Sequence, residues 1–432
     1  MCKQSKNTSA VRRGVSRRDL IRYGVGGALG VMAMGPLGRG FLQPAEGAPI
    51  DNHKRLVVMY CYGGYDGMNM VVPHELTAYR DRRPTIAIDA ADALDIGKAG
   101  YGFNPELTNI ASLYNNGEGA IFQKVGYPNR NLSHFTSQDI YSKGVRGSFD
   151  PLGLPESGWL ARFADNYTTD SLGVVSVGVG RPLDFEGSQS SNPLMLGSLG
   201  SFQFSDDDDY RANHDERLAA VNQMLGNYSG STLDTEAQAA LQQSLDLVTQ
   251  IEGAVDTYVP PSGMAYPTST PGRYLEDIAR MIQAGFNSKI FFTGFGGWDN
   301  HSNQLSAMGN RMQRLDDAIG AFAAHCTEMG VWDDTILIVV SEFGRRNFEN
   351  GSNGTDHGHG NCFLAFSGSS QFNGGYYGPD LTNTEINDER WLGYEIDFRD
   401  IYKEMITDWF QGDAGLIFPE PQDINQNLGY LS

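Results

Sequence analysis

Cysteine is scarce in this chain, at four of 432 residues, and Cys2, Cys61, Cys326 and Cys362 form no C-x-x-C pair. That spacing excludes a disulfide framework and a zinc site built on thiolates, and with Cys2 set aside it leaves room for at most one disulfide. Long apolar runs are also missing. Beyond residue 50 nothing approaches the roughly 18 apolar residues of a membrane span, so the body of the chain is expected to be soluble, with no integral membrane span. Basic side chains thin out after residue 48. Setting aside the eight basic and two acidic side chains of residues 1–48 leaves 24 basic against 50 acidic, and the formal charge falls from −20 to −26. A surface so acidic repels phosphate backbones and excludes nucleic acid as a partner, while it suits divalent cations. There is no internal repeat.

The N-terminal segment has the opposite character. Lys3, Lys6, Arg12, Arg13, Arg17, Arg18, Arg22 and Arg39 face only Asp19 and Glu46. Ser16-Arg17-Arg18-Asp19-Leu20-Ile21-Arg22 has the form of a twin-arginine export signal. A mildly apolar, glycine-rich run follows over residues 23–37 and closes on small residues near Ala45, Gly47 and Ala48. This predicts a cleavable signal over residues 1–48, the twin-arginine translocase as partner during export, and a final location in the periplasm or outside the cell. Cys2 precedes the apolar run, which argues against a lipid-anchored cysteine at the cleavage site.

A mature body of this length accommodates two average domains or one enlarged one, and a single α/β domain over residues 49–432 is the expectation. Continuous apolar runs at 56–60, 120–125, 174–179, 290–293, 335–340 and 362–366 read as strands covered on both faces, as in a largely parallel sheet. Leu305, Met308, Met312, Leu315, Ile319, Phe322, Cys326 and Met329 recur at steps of three and four and mark a long amphipathic helix. Two further helices are read around Leu275–Ile282 and over 234–255. Residues 180–270, with no convincing strand after Val179, read as a helical and loop insertion. Its acidic run Asp206-Asp207-Asp208-Asp209 lacks the alternating spacing and glycine of a calcium loop and reads as a solvated loop.

Four glycine-punctuated segments each follow an expected strand, where a parallel sheet places its ligand-binding loops. Gly63-Gly64-Tyr65-Asp66-Gly67 presents a carboxylate at a strand tip, as a metal ligand or as part of a plain tight turn. Asn131-Leu132-Ser133-His134-Phe135 places a hydroxyl at a helix start, as nucleophile or helix cap. In Gly297-Trp298-Asp299-Asn300-His301, side chains two apart point the same way, so Asp299 and His301 can share one cation. Ser341-Glu342-Phe343-Gly344-Arg345 and Gly354-Thr355-Asp356-His357-Gly358-His359-Gly360 bring a carboxylate and two of the chain's eight histidines into one short loop. The bland reading of that loop is a hydrogen-bonded turn in which Arg345 pairs Glu342 or Asp356. Together these segments offer Asp66, Asp299, His301, Glu342, Asp356, His357 and His359 as ligands for one or two divalent ions. Oxygen and imidazole donors without thiolate suit zinc, manganese, magnesium or calcium.

At these same segments, and at Asp397-Phe398-Arg399, the chain resembles the domain-of-unknown-function family 1501, a twin-arginine-exported relative of sulfatases within the alkaline phosphatase superfamily. The resemblance spans about residues 54–412. It implies an alkaline-phosphatase/sulfatase-like three-layer sandwich with a largely parallel, doubly wound central sheet and a metal site at the sheet's C-terminal edge. It places a metal-ligating Asp at Asp66 and a nucleophile at Ser133, with the later ligands falling on Asp299, His301, Glu342, Asp356, His357 and His359. Where the superfamily carries an Asp-His pair, this chain reads Glu342-Phe343. The function implied is metal-dependent hydrolysis of a phosphate or sulfate ester on an anionic small molecule or polymer, with Ser133 and His134 catalytic and Arg345 or Arg346 clamping the anion. A non-catalytic envelope or secreted binding protein retaining the fold is the alternative.

Overall fold

The computed structural model describes residues 47–146, 156–169, 172–188, 193–201, 219–220, 223, 232–418 and 426–432. All but the last two residues of the expected signal, and the acidic run 206–209, lie outside the described residues. The chain divides into two compact units, residues 1–38 with 202–252, and residues 39–201 with 253–432. In the first, the main described element is the larger part of a helix, Thr232–Asp256, close to the expected 234–255. Among the described residues no helix is long and apolar enough to cross a membrane.

The second unit is built on a nine-stranded sheet. Its strands, with a small sheet interposed, run β1 (Arg55–Tyr62), β2 (Val71–Val72), β3 (Leu94–Asp95), β4 (Gly102–Phe103), β5 (Gly119–Gly126), β6 (Val174–Val177), β7 (Leu194–Leu196), β8 (Ile290–Gly296), β9 (Thr335–Val340), β10 (Asn361–Phe366), β11 (Gly375–Tyr377) and β12 (Ile396–Asp397). The large sheet has the order β11-β5-β10-β9-β1-β8-β6-β7, with β12 also on β5, and β2-β4-β3 form the small one. All six expected strands are present. Runs such as Leu-Val-Val-Met-Tyr are buried at every position, which a strand tolerates only when both faces of its sheet are covered.

The longer helices are α1 (Thr108–Asn115), α2 (His134–Lys143), α3 (Trp159–Tyr167), α4 (Thr232–Asp256), α5 (Thr270–Gln283), α6 (Gln304–Glu328) and α7 (Phe398–Glu404), and those of the second unit, all but α4, cover the sheet. On one face Leu56, Val58, Phe122, Ile338 and Phe363 pack with Ile140, Tyr141, Trp159, Phe163, Phe398 and Tyr402 of α2, α3 and α7. The alternate residues Val57, Met59, Phe291, Leu337 and Val339 are equally buried. That side meets α5 against β8 and α1 against β5, with α6 packed on both helices. The protein is therefore α/β, with a large, mostly parallel central sheet between helical layers.

Two features differ from the sequence expectation. Strand β7 lies within residues 180–270, where no strand was expected. Its three residues, Leu-Met-Leu, are too short a run to register in a pattern, yet they pair in parallel with β6 at the sheet's end. Strand β10 runs antiparallel to both β9 and β5. A chain leaving β9 therefore returns into β10 at the same edge, without the crossover a parallel neighbour would require. The three described cysteines, Cys61, Cys326 and Cys362, are buried and free.

Candidate metal centre

The antiparallel return of β10 decides the site. Loops leaving β1, β5, β8 and β9, and the loop entering β10, all open at one sheet edge. Backbone bonds then lock them together. Arg345 bridges His357, Gly344 N–H donates to His359 O at 2.8 Å, and Thr355 N–H donates to Asn300 O at 3.1 Å. At Gly63 φ is +125°, and a Cβ there would stand 2.5 Å from the Asp299 nitrogen. Only glycine lets the first loop lie this close to the third.

Three imidazoles and one carboxylate meet at this edge. His301 Nε2 is 2.9 Å and His357 Nε2 is 3.2 Å from Asp299 Oδ1, and the two nitrogens are 3.1 Å from each other. His134 Nε2 lies 3.4 Å from Asp299 Oδ2, buried and in no hydrogen bond. Ligand atoms of His134, Asp299 and His357 all fall within 4.8 Å of one another.

The opposite ring nitrogens fix the tautomers. His134 Nδ1 donates to Glu342 Oε1 at 2.9 Å, His301 Nδ1 to Asp356 Oδ1 at 3.1 Å, and His357 Nδ1 to the Leu132 carbonyl at 2.7 Å. A carbonyl or an ionised carboxylate only accepts, so each Nδ1 carries a proton, and in the neutral tautomer that leaves the Nε2 lone pair turned towards Asp299. Lone pairs about 3 Å apart beside a carboxylate repel unless a positive charge sits among them. Donors on a tetrahedral ion with bonds of about 2.0–2.1 Å stand roughly 3.3 Å apart, close to the contacts of His134 and His357 with Asp299, and the group in mutual reach is His134, Asp299 and His357, with His301 on Asp299 beside it. The residues fit a metal ion, and the fully hydrogen-bonded outer nitrogens are what metal-ligating histidines require.

The supporting contacts are buried. Glu342 is fully buried; besides His134, its Oε1 accepts from Gly63 N–H at 2.8 Å and Gln138 Nε2 at 3.1 Å, and its Oε2 accepts from Ser341 Oγ at 2.9 Å. Burial pushes the Glu342 carboxyl up, but the hydrogen bonds led by His134 outweigh it and hold the carboxyl below its usual range. In return the Glu342 bond pulls the His134 pKa upward. Burial likewise raises Asp299, and the Arg345 guanidinium, backed by His301 and His134, reverses this and holds it at about 2. Behind the imidazoles, the buried Phe343 ring stacks 4.9 Å from both His134 and His357. The position that the resemblance associates with a histidine therefore holds an apolar backing.

The remaining candidates lie around this cluster in different roles. Asp356 orients His301 and pairs Arg346 at 3.1 Å. Arg345 pairs Asp299 at 2.7 Å, in place of the expected Glu342 or Asp356. It also donates to the carbonyls of Gly63, Gly64, Trp298 and Thr355, so every nitrogen of the buried guanidinium is engaged and it braces three loops. Ser133 occupies the capping position of α2 but makes no side-chain cap bond, and it is exposed. His359 stands apart, buried between the rings of Tyr127 and Tyr394, where burial pushes its pKa down to about 4. Asp66 is also turned elsewhere: its Oδ2 accepts from Arg83 Nη1 and from Gln304 Nε2, both at 2.5 Å.

Sequence reasoning missed Arg83, Gln304 and Gln138 and had placed His134 among catalytic groups, apart from the ligands. Gln138 was within reach, since it lies four residues after His134 on one helix face. Arg83 shares no local pattern with Asp66, and only packing brings the two together.

The family described as "Protein of unknown function (DUF1501)" matches residues 95–379. No curated protein matches the sequence. Among solved structures, a protein in the alkaline phosphatase superfamily from Vibrio parahaemolyticus is similar at 12% identity and a TM-score of 0.35, over 86% of this chain and 73% of that one. The lipoteichoic acid synthase LtaP from Listeria monocytogenes is similar at 9% identity and a TM-score of 0.36, over 80% and 73%. Alkaline phosphatase from the Antarctic bacterium TAB5 is similar at 15% identity and a TM-score of 0.32, over 80% and 96%. Likeness at this level leaves the chemistry to be argued from the chain's own residues.

Proposed function

We propose that this chain, which belongs to the DUF1501 family, is a metal-dependent hydrolase of phosphate or sulfate esters, exported by the twin-arginine route to the periplasm or beyond. The observation that carries the reading is the convergence of three oriented imidazole Nε2 atoms on Asp299. His134, His357 and Asp299 would hold the ion, with His301 beside Asp299, and imidazole donors favour zinc or manganese over magnesium and calcium, which prefer all-oxygen shells. A bound divalent cation supplies Lewis-acid activation of water or a hydroxyl and neutralises charge on the ester. The protein's own part is positional. Glu342, Asp356 and the Leu132 carbonyl fix the imidazoles, Arg345 fixes Asp299, and Phe343 excludes water from behind them. Asp299 and His301 remain nearly half exposed, which leaves the open side a substrate needs. Ser133, exposed, free of capping duty and next to His134 in the chain, would be the hydroxyl that attacks in place of water.

The test is turnover of 4-nitrophenyl phosphate and 4-nitrophenyl sulfate by metal-loaded protein. Chelation should abolish it, zinc or manganese should restore it, and His357→Ala should lower it at least about a hundredfold. Metal-loaded protein that hydrolyses no phosphate or sulfate ester would leave the non-catalytic binding protein as the reading.

A further inference from the structure

We infer that a strip of arginines and aromatic rings beside the metal centre is a substrate subsite, and that the ester acted on is carried by an acidic polysaccharide. This rests on the hydrolase reading above and names the class of its substrate.

The strip begins at the loops that carry the cluster. Arg346 pairs Asp356, the partner of His301, and its backbone bridges that of Trp391. Arg130 lies two residues before the Leu132 carbonyl that holds His357, and its guanidinium sits 4.5 Å from the Trp391 ring. Arg390 stands 5.9 Å from the same ring. The Phe348 ring in turn takes the guanidiniums of Arg346 at 5.7 Å and Arg82 at 4.9 Å. Phe135, next in the chain to His134, is 85% exposed, more than any other large apolar side chain among the described residues.

These groups are free to meet a ligand. Arg82, Arg130 and Arg390 form no ion pair among the described residues, although the chain beyond residue 48 carries 50 acidic side chains against 24 basic ones. The flanking carboxylates are used elsewhere: Glu385 and Glu395 pair Lys124, and Glu349 accepts from the Thr85 and Ile86 backbone. A guanidinium resting on an aromatic ring keeps its N–H donors for oxyanions. A phenyl ring left in water forgoes the burial its size offers, and a ligand ring laid on it recovers that.

A small ester is spent at the ion, so anions held at Arg130 and Arg390 belong to further units of the same molecule. Single-stranded nucleic acid needs successive open ring faces for its bases, whereas Trp391 and Phe348 each already carry two guanidiniums and leave Phe135 as the free ring. One apolar ring face, oxyanions and hydroxyls are what a sugar chain bearing sulfate, phosphate or carboxylate groups presents. A surface otherwise so acidic repels polyanions, so binding of one has to come from this strip.

The test is binding, read apart from turnover, by calorimetric titration of zinc-loaded protein at low salt with dextran sulfate, neutral dextran and single-stranded DNA. Dextran sulfate should bind at least about tenfold more tightly than either control. Arg130→Gln with Arg390→Gln, both at exposed positions, should weaken it at least about tenfold, and Phe135→Ala alone about threefold. Undiminished binding by either variant, or DNA bound as tightly as dextran sulfate, would overturn the inference. Polymer bound by a protein that cleaves no ester would sink the hydrolase reading and leave a polysaccharide-binding strip, whereas turnover of 4-nitrophenyl sulfate by protein that binds no dextran sulfate would sink this inference alone.

Discussion

Replacing Glu342 by glutamine isolates the link between the buried shell and the ion. The amide keeps the shape of the carboxylate, so Gly63 N–H, Gln138 and His134 still have an oxygen to donate to. The new NH2 falls where Oε2 stood, 2.9 Å from Ser341 Oγ. That hydroxyl has one proton, shared between Glu342 and the Cys61 carbonyl at 2.6 Å; in the variant it turns to Cys61 and its oxygen accepts from the new NH2. No buried group is orphaned, and the fold should survive. What disappears is the charge on the acceptor of His134 Nδ1–H, and charge-assisted hydrogen bonds are roughly twice as strong as neutral ones. His134 becomes a weaker and less firmly oriented donor. Loss of such a partner typically lowers metal affinity by about 10- to 100-fold, or about 1.4–2.7 kcal/mol. Competition with a chromogenic chelator, with circular dichroism to verify folding, measures it directly. A folded Glu342→Gln protein that binds zinc within about threefold of wild type would refute the role given to His134. Glu342→Ala should be worse in both affinity and stability, since it leaves the Gly63 N–H without its acceptor.

The other expectations concern stability. Asp184 is 5% exposed, takes hydrogen bonds from Ser142 Oγ at 2.8 Å and Trp159 Nε1 at 3.0 Å, and is pushed by burial up to about 6. A carboxyl raised on folding favours the native state fully below its unfolded value of about 3.9, and that contribution is lost as pH rises through 6. Urea unfolding should therefore show about 2 kcal/mol lost between pH 4 and 7 from this residue, and Asp184→Asn should remove that part of the slope. Parallel pH profiles for wild type and variant would count against it. Gly63→Ala places a side chain at a φ of +125° and a Cβ 2.5 Å from the Asp299 nitrogen; it should cost about 3 kcal/mol and weaken metal binding together, as read by thermal melts with and without zinc.

The strands and helices were legible because their signals are local. Residues 335–340 are apolar at every position and could only be a doubly covered strand, and the three- and four-residue steps from Leu305 to Met329 could only be one face of a helix. The candidate-ligand loops were legible for a related reason: glycines that break a strand pattern fall at strand ends, and strand ends of a mostly parallel sheet share an edge.

Which side chains meet at that edge was not written in any local pattern. His134 and His357 are separated by 223 positions and face one another only because β10 runs backwards and returns its loop to the edge where β5 ends. His357 and His359 are two apart, as Asp299 and His301 are, yet they diverge. Alternation holds along a regular strand, and this segment bends where Gly358 presses on the Arg345 backbone and Gly360 on that of Gly393. Asp66 sits at a strand tip as its motif requires, but a charge 17 residues away neutralises it. Sequence by itself determined the architecture and the inventory of donors, because hydrophobic period and backbone freedom act over a few residues. Tertiary structure alone decided which donors face one another, because side chains distant in sequence converge only where several loops are packed into contact.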